Sequence, residues 1–369
     1  MNYGLLVCSP SAKFKNLGDY IQSVAQEQFL PKVDTLVERE KLSDFCFYVG
    51  NEKKTKVIMN GWFMLHPESF PPSPDIIPLF ISFHITPVIE KSFFTRQTID
   101  YLKKYQPIGA RDKNTMRLLL RHGIKSYFSN CLTLTLGKTF SRASSPTNII
   151  FVDPYYVVAG SRQSLYNPIE YVKGIWYLIK HFRKAKIIKK NICVESKTFF
   201  RSFSPSFEKL WCAAFFYEFY SSAFSDELLL NAEFFSHKIP SSTYSETRDW
   251  MNAARLAIQK YADARFVVTS RIHCGLPCLS VETPCLFIVS DGLESGNYRG
   301  GGRFEGVLDC FHVARWTRKG IVGVSKVVSD IISRGQQISD NNIDQLGARL
   351  EYRSFRDKLN DSIHSFLEE

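Results

Sequence analysis

The 369 residues predict an α/β protein with two Rossmann-like domains facing across a cleft and a C-terminal helix. Three observations carry this. Short apolar runs alternate with amphipathic stretches along the chain. The length exceeds one domain of about 150–200 residues. A polar stretch without periodicity, GKTFSRASSPTN over 137–148, divides the alternation into two series. The expected units are an N-terminal domain over 1–140, a C-terminal domain over 147–323, and a helical segment over 324–369 placed to cross back to the first domain.

In the first half, apolar runs predict strands at Gly4–Cys8, Phe45–Val49, Val57–Met59, Ile76–His84 and Tyr127–Leu136. A helix is expected over Asp19–Phe29, where Ile21, Val24, Ala25 and Phe29 recur at helical spacing. Another is expected over Asp112–His122, with Asp112 as cap and Gly123 as stop signal. In the second half the expected order is strand Ile149–Val152, helix Pro168–Ala185, strand Ile192–Val194 and a long helical region Phe207–Phe235. It continues with a helix near Arg248–Tyr261, strand Phe266–Thr269, helix Gly275–Val281 and strand Cys285–Val289. The tail reads as helical over Val324–Ile332 and Gln345–Leu367.

Composition narrows the function classes. Hydrophobic residues make up 44% and charged residues 22%, which excludes a disordered chain. No run reaches the roughly 18 apolar residues of a membrane span. The opening MNYGLLVCSP has no basic segment before its apolar run and reads as a first strand. Nine scattered cysteines, an odd count, lie mostly in apolar segments such as those of Cys46, Cys193 and Cys285, and read as reduced core thiols of a cytoplasmic protein. Cys274 and Cys278 with His273 do not complete a zinc set. The net charge of +11 is dispersed and comes with no nucleic-acid motif, so its basic clusters read first as a solvated surface, with an anionic substrate or an anionic membrane left open as partner.

Ligands of such folds bind beyond the carboxyl ends of strands, so residues just after strands are the candidates. Beyond Thr269 come Ser270, Arg271 and His273, before a helix. Arg271 offers a fork for carboxylate or phosphate, and His273 a proton donor. In PIGARDKNTM, Arg111 precedes a helix start and reads as a second anion clamp. After the first strand, Gly18 permits close backbone approach, and Asp19 either caps the helix or reaches a sugar hydroxyl. Asn60 and Trp62, in MNGWF, suit sugar hydrogen bonding and stacking. In NYRGGGRF, Arg299 and Arg303 flank glycines as an anion-binding loop would. No GxxxxGK[ST] or GxGxxG fingerprint occurs, and no GxSxG motif points to acyl transfer.

With these pieces in order, the chain resembles the polysaccharide pyruvyl transferase family. The matching segments are NLGDYIQ at 16–22, GARDKNTMRLLLRHGIKSYFSNCLTLTL at 109–136 and VVTSRIHCGLPCLSVETPCLFI at 267–288. The resemblance implies a fold similar to the two-domain GT-B glycosyltransferase fold. It implies transfer of the enolpyruvyl unit of phosphoenolpyruvate onto a sugar as a pyruvate ketal in capsular or exopolysaccharide biosynthesis. His273 is then the acid, and Arg111 and Arg271 hold phosphoenolpyruvate. The MNGWF segment departs from the glycine-rich strand end of many members. The basic residue that some members carry after the SRxH helix is not evident, and Arg299 or Arg303 is the candidate to replace it.

The residue chemistry fits independently. Phosphoenolpyruvate carries a carboxylate and a phosphate, which two or three arginines clamp. Protonation at C3 suits a His of tuned pKa, and a carboxylate such as Asp19 can orient or deprotonate the acceptor. The scheme calls for no cofactor and no metal. The expected partners are phosphoenolpyruvate and a sugar acceptor, with a polyprenyl diphosphate carrier and a peripheral contact at the inner face of the plasma membrane as further expectations. Lys184, Lys186, Lys189 and Lys190, with Arg349, Arg353 and Arg356, are the basic residues available for that contact. Two other readings stay open: a nucleotide-sugar-dependent glycosyltransferase in which Glu282 holds the ribose, and a non-catalytic saccharide- or membrane-binding protein.

Overall fold

The computed structural model describes residues 1–8, 13–47, 54–61, 63, 66–155, 168–193, 204–290, 302–317 and 319–369. The first half contains β1 (Asn2–Val7), β2 (Phe14–Asn16), α1 (Leu17–Glu27), β3 (Thr35–Glu38), β4 (Thr55–Ile58) and β5 (Ile76–Leu79). It continues with α2 (Glu90–Phe93), α3 (Arg96–Lys104), β6 (Ile108–Ala110), α4 (Lys113–Arg121) and β7 (Ser126–Phe128). The second half contains β8 (Asn148–Val152), α5 (Pro168–Ile188), α6 (Pro205–Tyr220), α7 (Asp226–Leu230), β9 (Glu233–Phe235) and β10 (Lys238–Pro240). There follow α8 (Thr247–Ala262), β11 (Ala264–Thr269), α9 (Ile272–Ser280), β12 (Cys285–Ser290), β13 (His312–Thr317), β14 (Gly320–Gly323), α10 (Lys326–Ser333) and α11 (Tyr352–Glu368).

Among the described residues the first sheet has the order β3-β1-β4-β5, all parallel. A parallel bridge between Phe83 and Ala110 prolongs the row to β6, which pairs with β7. Every residue of β4 is buried, as expected of an inner strand of a parallel sheet. The second sheet has the order β14-β13-β12-β11-β8-β9 and is parallel except for β14. Its strands alternate faces. Ile150, Val152, Val267, Phe287 and Val289 join one apolar cluster. Ile149, Phe151, Phe266, Val268, Leu286 and Ile288 join another, under α6.

The first of these clusters also takes Leu5 and Val7 of β1, so one core joins the two sheets through α1, α8 and α9. Tyr20 of α1 stacks on Trp250 of α8 at 5.3 Å. Gln26 stands in for a strand neighbour of β1: its Oε1 accepts from Leu6 N at 2.9 Å and its Nε2 donates to Gly4 O at 2.9 Å. β2 and β10 pair antiparallel between the halves. α11 lies on first-sheet elements, where Lys56 Nζ donates to Phe366 O at 2.7 Å and Phe355 meets Phe128. No helix among the described residues is long and apolar enough to cross a membrane.

Several expectations are corrected. Phe45–Cys46–Phe47 are not in a strand, and Tyr48–Val49 lie outside the described residues. The strand falls at β3, where Thr35–Glu38 pair with β1. The run Tyr127–Leu136 is strand only to Phe128, because Asn130 takes a φ of +63°. Leu132–Lys138 then form a 3₁₀ helix, and Thr135 Oγ1 donates to Leu132 O at 2.7 Å. The region Phe207–Phe235 breaks at Ser225, which caps α7, and ends in a strand. Ile192 and Cys193 are outside any strand, and Val194 is not described. The tail helix begins at Tyr352, seven residues later than expected. Cys46 and Cys193 are exposed and not core thiols.

Candidate active site

β11 ends at Thr269, whose Oγ1 accepts from Arg271 N at 2.9 Å and turns the chain into α9. Arg271 takes the N-cap position, and His273 falls in the first helical turn. His273 is 7% exposed and rests against the backbone of α1. A Cβ on Gly18 would lie 3.0 Å from His273 Nδ1 and 3.1 Å from His273 Cβ. Gly18 is therefore what admits the imidazole. His273 Nε2 is buried and has no hydrogen-bond partner among the described residues. Burial, then the nearby charges of Arg111, His237, Arg303 and His84, holds its pKa well below the usual histidine value.

Arg111 follows β6, and its backbone N–H donates to Phe83 O at 2.9 Å. The guanidinium is buried, and its Nε sits 3.8 Å from Asp112 Oδ2 with no hydrogen-bond partner among the described residues. Burial lowers its pKa, against the opposing pull of Asp112, Cys131 and Asp19. Asp112 caps α4 through Thr115 N at 2.8 Å. Its other oxygen accepts from His84 Nδ1 at 2.5 Å. Burial would raise the Asp112 carboxyl, but His84 and Arg111 outweigh it and hold it ionised. His84 is pushed down to about 4, by burial and then by Arg111.

From β8 comes Asp153, at a φ of +46°. Its Oδ2 accepts from Arg271 Nε at 2.7 Å and His237 N at 3.0 Å, and its Oδ1 from Ser236 Oγ at 2.7 Å. Burial opposes ionisation there, but Arg271 and His237 win and the Asp153 pKa is lowered. Ser270 Oγ donates to Asp153 O at 2.7 Å, so Ser270 braces the turn. His237 is buried against Tyr261 OH at 2.6 Å and is lowered to about 4, chiefly by burial. Tyr155 lies beside Ser270, Ser290, Arg271 and Arg303, and burial raises its phenol.

On the first-sheet side, Asn16 is the cap of α1 and accepts from Gly18 N at 3.2 Å. Asp19 is thus not the cap that composition favours, because the helix starts earlier, at Leu17. Asp19 Oδ1 instead lies 3.5 Å from Arg39 Nη1. Arg39 is buried and also donates to Glu40 Oε1 at 3.1 Å and Cys8 Sγ at 2.8 Å. Asn60 is buried, with Nδ2 donating to Gln22 O at 3.1 Å. Asp19, Arg39, Asn60 and Gly61 line one small cleft.

Arg303 stacks on Phe304 at 4.6 Å. Its loop is fastened to α4: Lys113 N donates to Glu305 O at 3.0 Å, and Arg117 Nη1 to Glu305 Oε1 at 2.7 Å. This brings Arg303 close enough to act on His84 and His273. Trp62 and Arg299 lie outside the described residues. Glu282 is taken up by Arg353 and Tyr352 of α11, a tie between helices. Cys274, Cys278 and Cys285 form a buried thiol group.

The structure thus gathers His273, Gly18, Arg111 and Arg303 at one place, with Asp19 and Asn60 in the adjoining cleft and Ser270 and Arg271 anchored on Asp153. Sequence reasoning passed over Arg39, His84, Asp153, Tyr155 and His237. Asp153 and Tyr155 directly follow a predicted strand, and His84 ends one, so the strand-end rule itself was a signal. Arg39 and His237 arrive through long-range packing.

The family model of polysaccharide pyruvyl transferases matches residues 16–292. The match spans all the strand-end residues just described up to β12. The chain belongs to the polysaccharide pyruvyl transferase family, which makes it a pyruvyltransferase of polysaccharide biosynthesis. A search of the curated proteins gives no match.

Proposed function

We propose that the protein transfers pyruvate from phosphoenolpyruvate to a sugar diol, forming a ketal and releasing phosphate, in the making of a capsular or exopolysaccharide. The observation that carries this reading is a buried pair of unpartnered nitrogens: Arg111 Nε, a donor, and His273 Nε2, a donor once the imidazole is protonated, both lack a hydrogen-bond partner among the described residues. Buried polar groups are normally satisfied, so such a pair in a cationic cleft is fitted to an anion with several oxygens. We read the two sheets as GT-B-like domains over 1–140 and 147–323, with 324–369 returning to the first.

In this reading Arg111 and Arg303 bind the donor's anionic groups, and Asp153 orients Arg271 for the same task. His273 is kept neutral by burial and by the cations around it. A bound phosphate reverses that field and raises its proton affinity. Protonated His273 gives its proton to C3 of the enol, leaving C2 cationic. One sugar hydroxyl adds to C2 and loses its proton, with Asp19 placed to orient it. The second hydroxyl then displaces phosphate from C2 and loses its proton, closing the ketal. The balance is one phosphoenolpyruvate and one diol to one ketal and one phosphate. Arg39 and Asn60 shape the acceptor side.

The test sets phosphate release from phosphoenolpyruvate against nucleotide release from sugar nucleotides. Phosphate release that depends on a glycan acceptor is expected. Nucleotide release alone would establish the glycosyltransferase reading, although Glu282, its ribose ligand, is engaged by Arg353 and Tyr352.

A further inference from the structure

We propose that the outer face of α5 docks on an anionic lipid leaflet. One side of α5 is spent on covering α6. Gly174 lies so close to the Trp211 ring that a Cβ would fall 1.9 Å from it, and Tyr177 meets Phe215 edge-on at 5.2 Å. Ala185 and Ile188 are buried on the same side. This explains why α6 can be apolar nearly all round.

The opposite side exposes Val172, Ile175, Trp176, Ile179 and Phe182. The first four recur at i, i+3, i+4 and i+7, a helical stripe, and Phe182 follows just past a kink at His181, whose φ of −114° and ψ of 15° are not helical. Trp176 is 61% exposed and Ile179 68%. Single exposed apolar residues need no explanation, but a contiguous row of five marks an interaction surface.

Charge selects the occupant. Arg183, Lys186 and Lys190 are exposed at the carboxyl end of the stripe. The described side chains of α5 include no acidic residue. A second copy packed stripe on stripe would set the same cations against one another, with the neighbouring Glu218 and Asp226 already taken by Lys180 and Lys184. A leaflet of acidic phospholipid offers both halves of the match: acyl chains for Trp176, Ile179 and Phe182, and phosphates for the cations. Arg349, just before α11, and Arg353 and Arg356 within it are each paired to an acid, Glu351, Glu282 and Asp357. α5 sits on the side of the second sheet away from α8 and α9, and the proposal is independent of the transfer chemistry.

The test is co-sedimentation of the full chain with vesicles of phosphatidylcholine alone or of equal parts phosphatidylcholine and phosphatidylglycerol, across a salt series. Binding to the mixed vesicles that weakens with salt is expected. Trp176→Ser with Ile179→Ser, and separately Lys186→Glu with Lys190→Glu, should each weaken partitioning by about tenfold or more. The substituted side chains are exposed, so an unchanged unfolding midpoint is expected, and the charge pair keeps the test decisive if the apolar pair misfolds. Wild-type partitioning by both pairs overturns the proposal, as does binding indifferent to salt and lipid charge. A dimer that Trp176→Ser with Ile179→Ser dissociates, without vesicle binding, overturns it in favour of a second copy.

Discussion

His273 owes its position to an absence, the missing side chain of Gly18. A methyl there would press on both Nδ1 and Cβ of the imidazole. Gly18→Ala should therefore displace the imidazole by a few tenths of an ångström. Turnover should fall by on the order of tenfold to a hundredfold, since small misplacements of reacting groups are costly. Stability should change by less than about 1 kcal/mol, because Gly18 lies in the first turn of α1, where the helical gain of alanine is small and is offset by the close contacts with His273 and Asn16 Oδ1. Steady-state kinetics beside thermal unfolding checks both, and unimpaired turnover would remove the contact from the mechanism. At this scale the sequence was informative in the turns that follow strands, as with Arg111 and His273, and the same rule would have reached Asp153, which was passed over. It was silent on Arg39, which reaches Asp19 across twenty residues of chain. It misassigned Asp19 because capping depends on where the helix starts, and Asn16 two positions before Gly18 decided that.

Elements follow local pattern until a neighbour overrides it. The alternating LTLTL of 132–136 looks like a strand, yet its backbone closes into a 3₁₀ helix wedged against α1, α9 and α11. All five residues are buried, so alternation carried no information about faces. α6 similarly merged with α7 and β9 in the sequence because a helix covered on every side has no polar stripe to mark its ends. The wedge has a sharp test at Gly137, where a Cβ would lie 2.2 Å from the backbone oxygen of Ser280. Neither backbone can yield cheaply, so Gly137→Ala should cost about 1–3 kcal/mol. A drop of several degrees in the unfolding midpoint is expected by calorimetry. An unchanged midpoint would contradict the packing of this segment on the end of α9.

Across the whole molecule, the two sheets share one core, and besides His273 two further histidines, His84 and His237, are buried and lowered to about 4. In the unfolded chain they titrate near the ordinary value of about 6.5. Between these values the unfolded state binds more protons, so stability is full above about 6.5 and falls as pH drops toward 4. Each histidine contributes a loss on the order of 3 kcal/mol across that window. Asp112 and Asp153, whose pKa values are lowered, add their losses at still lower pH. Denaturant unfolding from pH 8 to 5 should be flat at first and then decline, and a level profile down to pH 5 would contradict the burial of both imidazoles. The alternation of strands and helices made the two-sheet plan readable in advance. The shared core was not, because it depends on which helix faces meet across distant stretches of chain. The central claim, that His273 and the arginines around it move pyruvate onto a sugar diol, is tested most directly by mass spectrometry of candidate glycans, free and lipid-linked, incubated with the protein and phosphoenolpyruvate. A glycan bearing one pyruvate ketal, formed mole for mole with phosphate and lost in His273→Gln while phosphoenolpyruvate still binds, is the result expected. Ketal formation undiminished in His273→Gln, or no ketal on any acceptor that the protein binds, would contradict it.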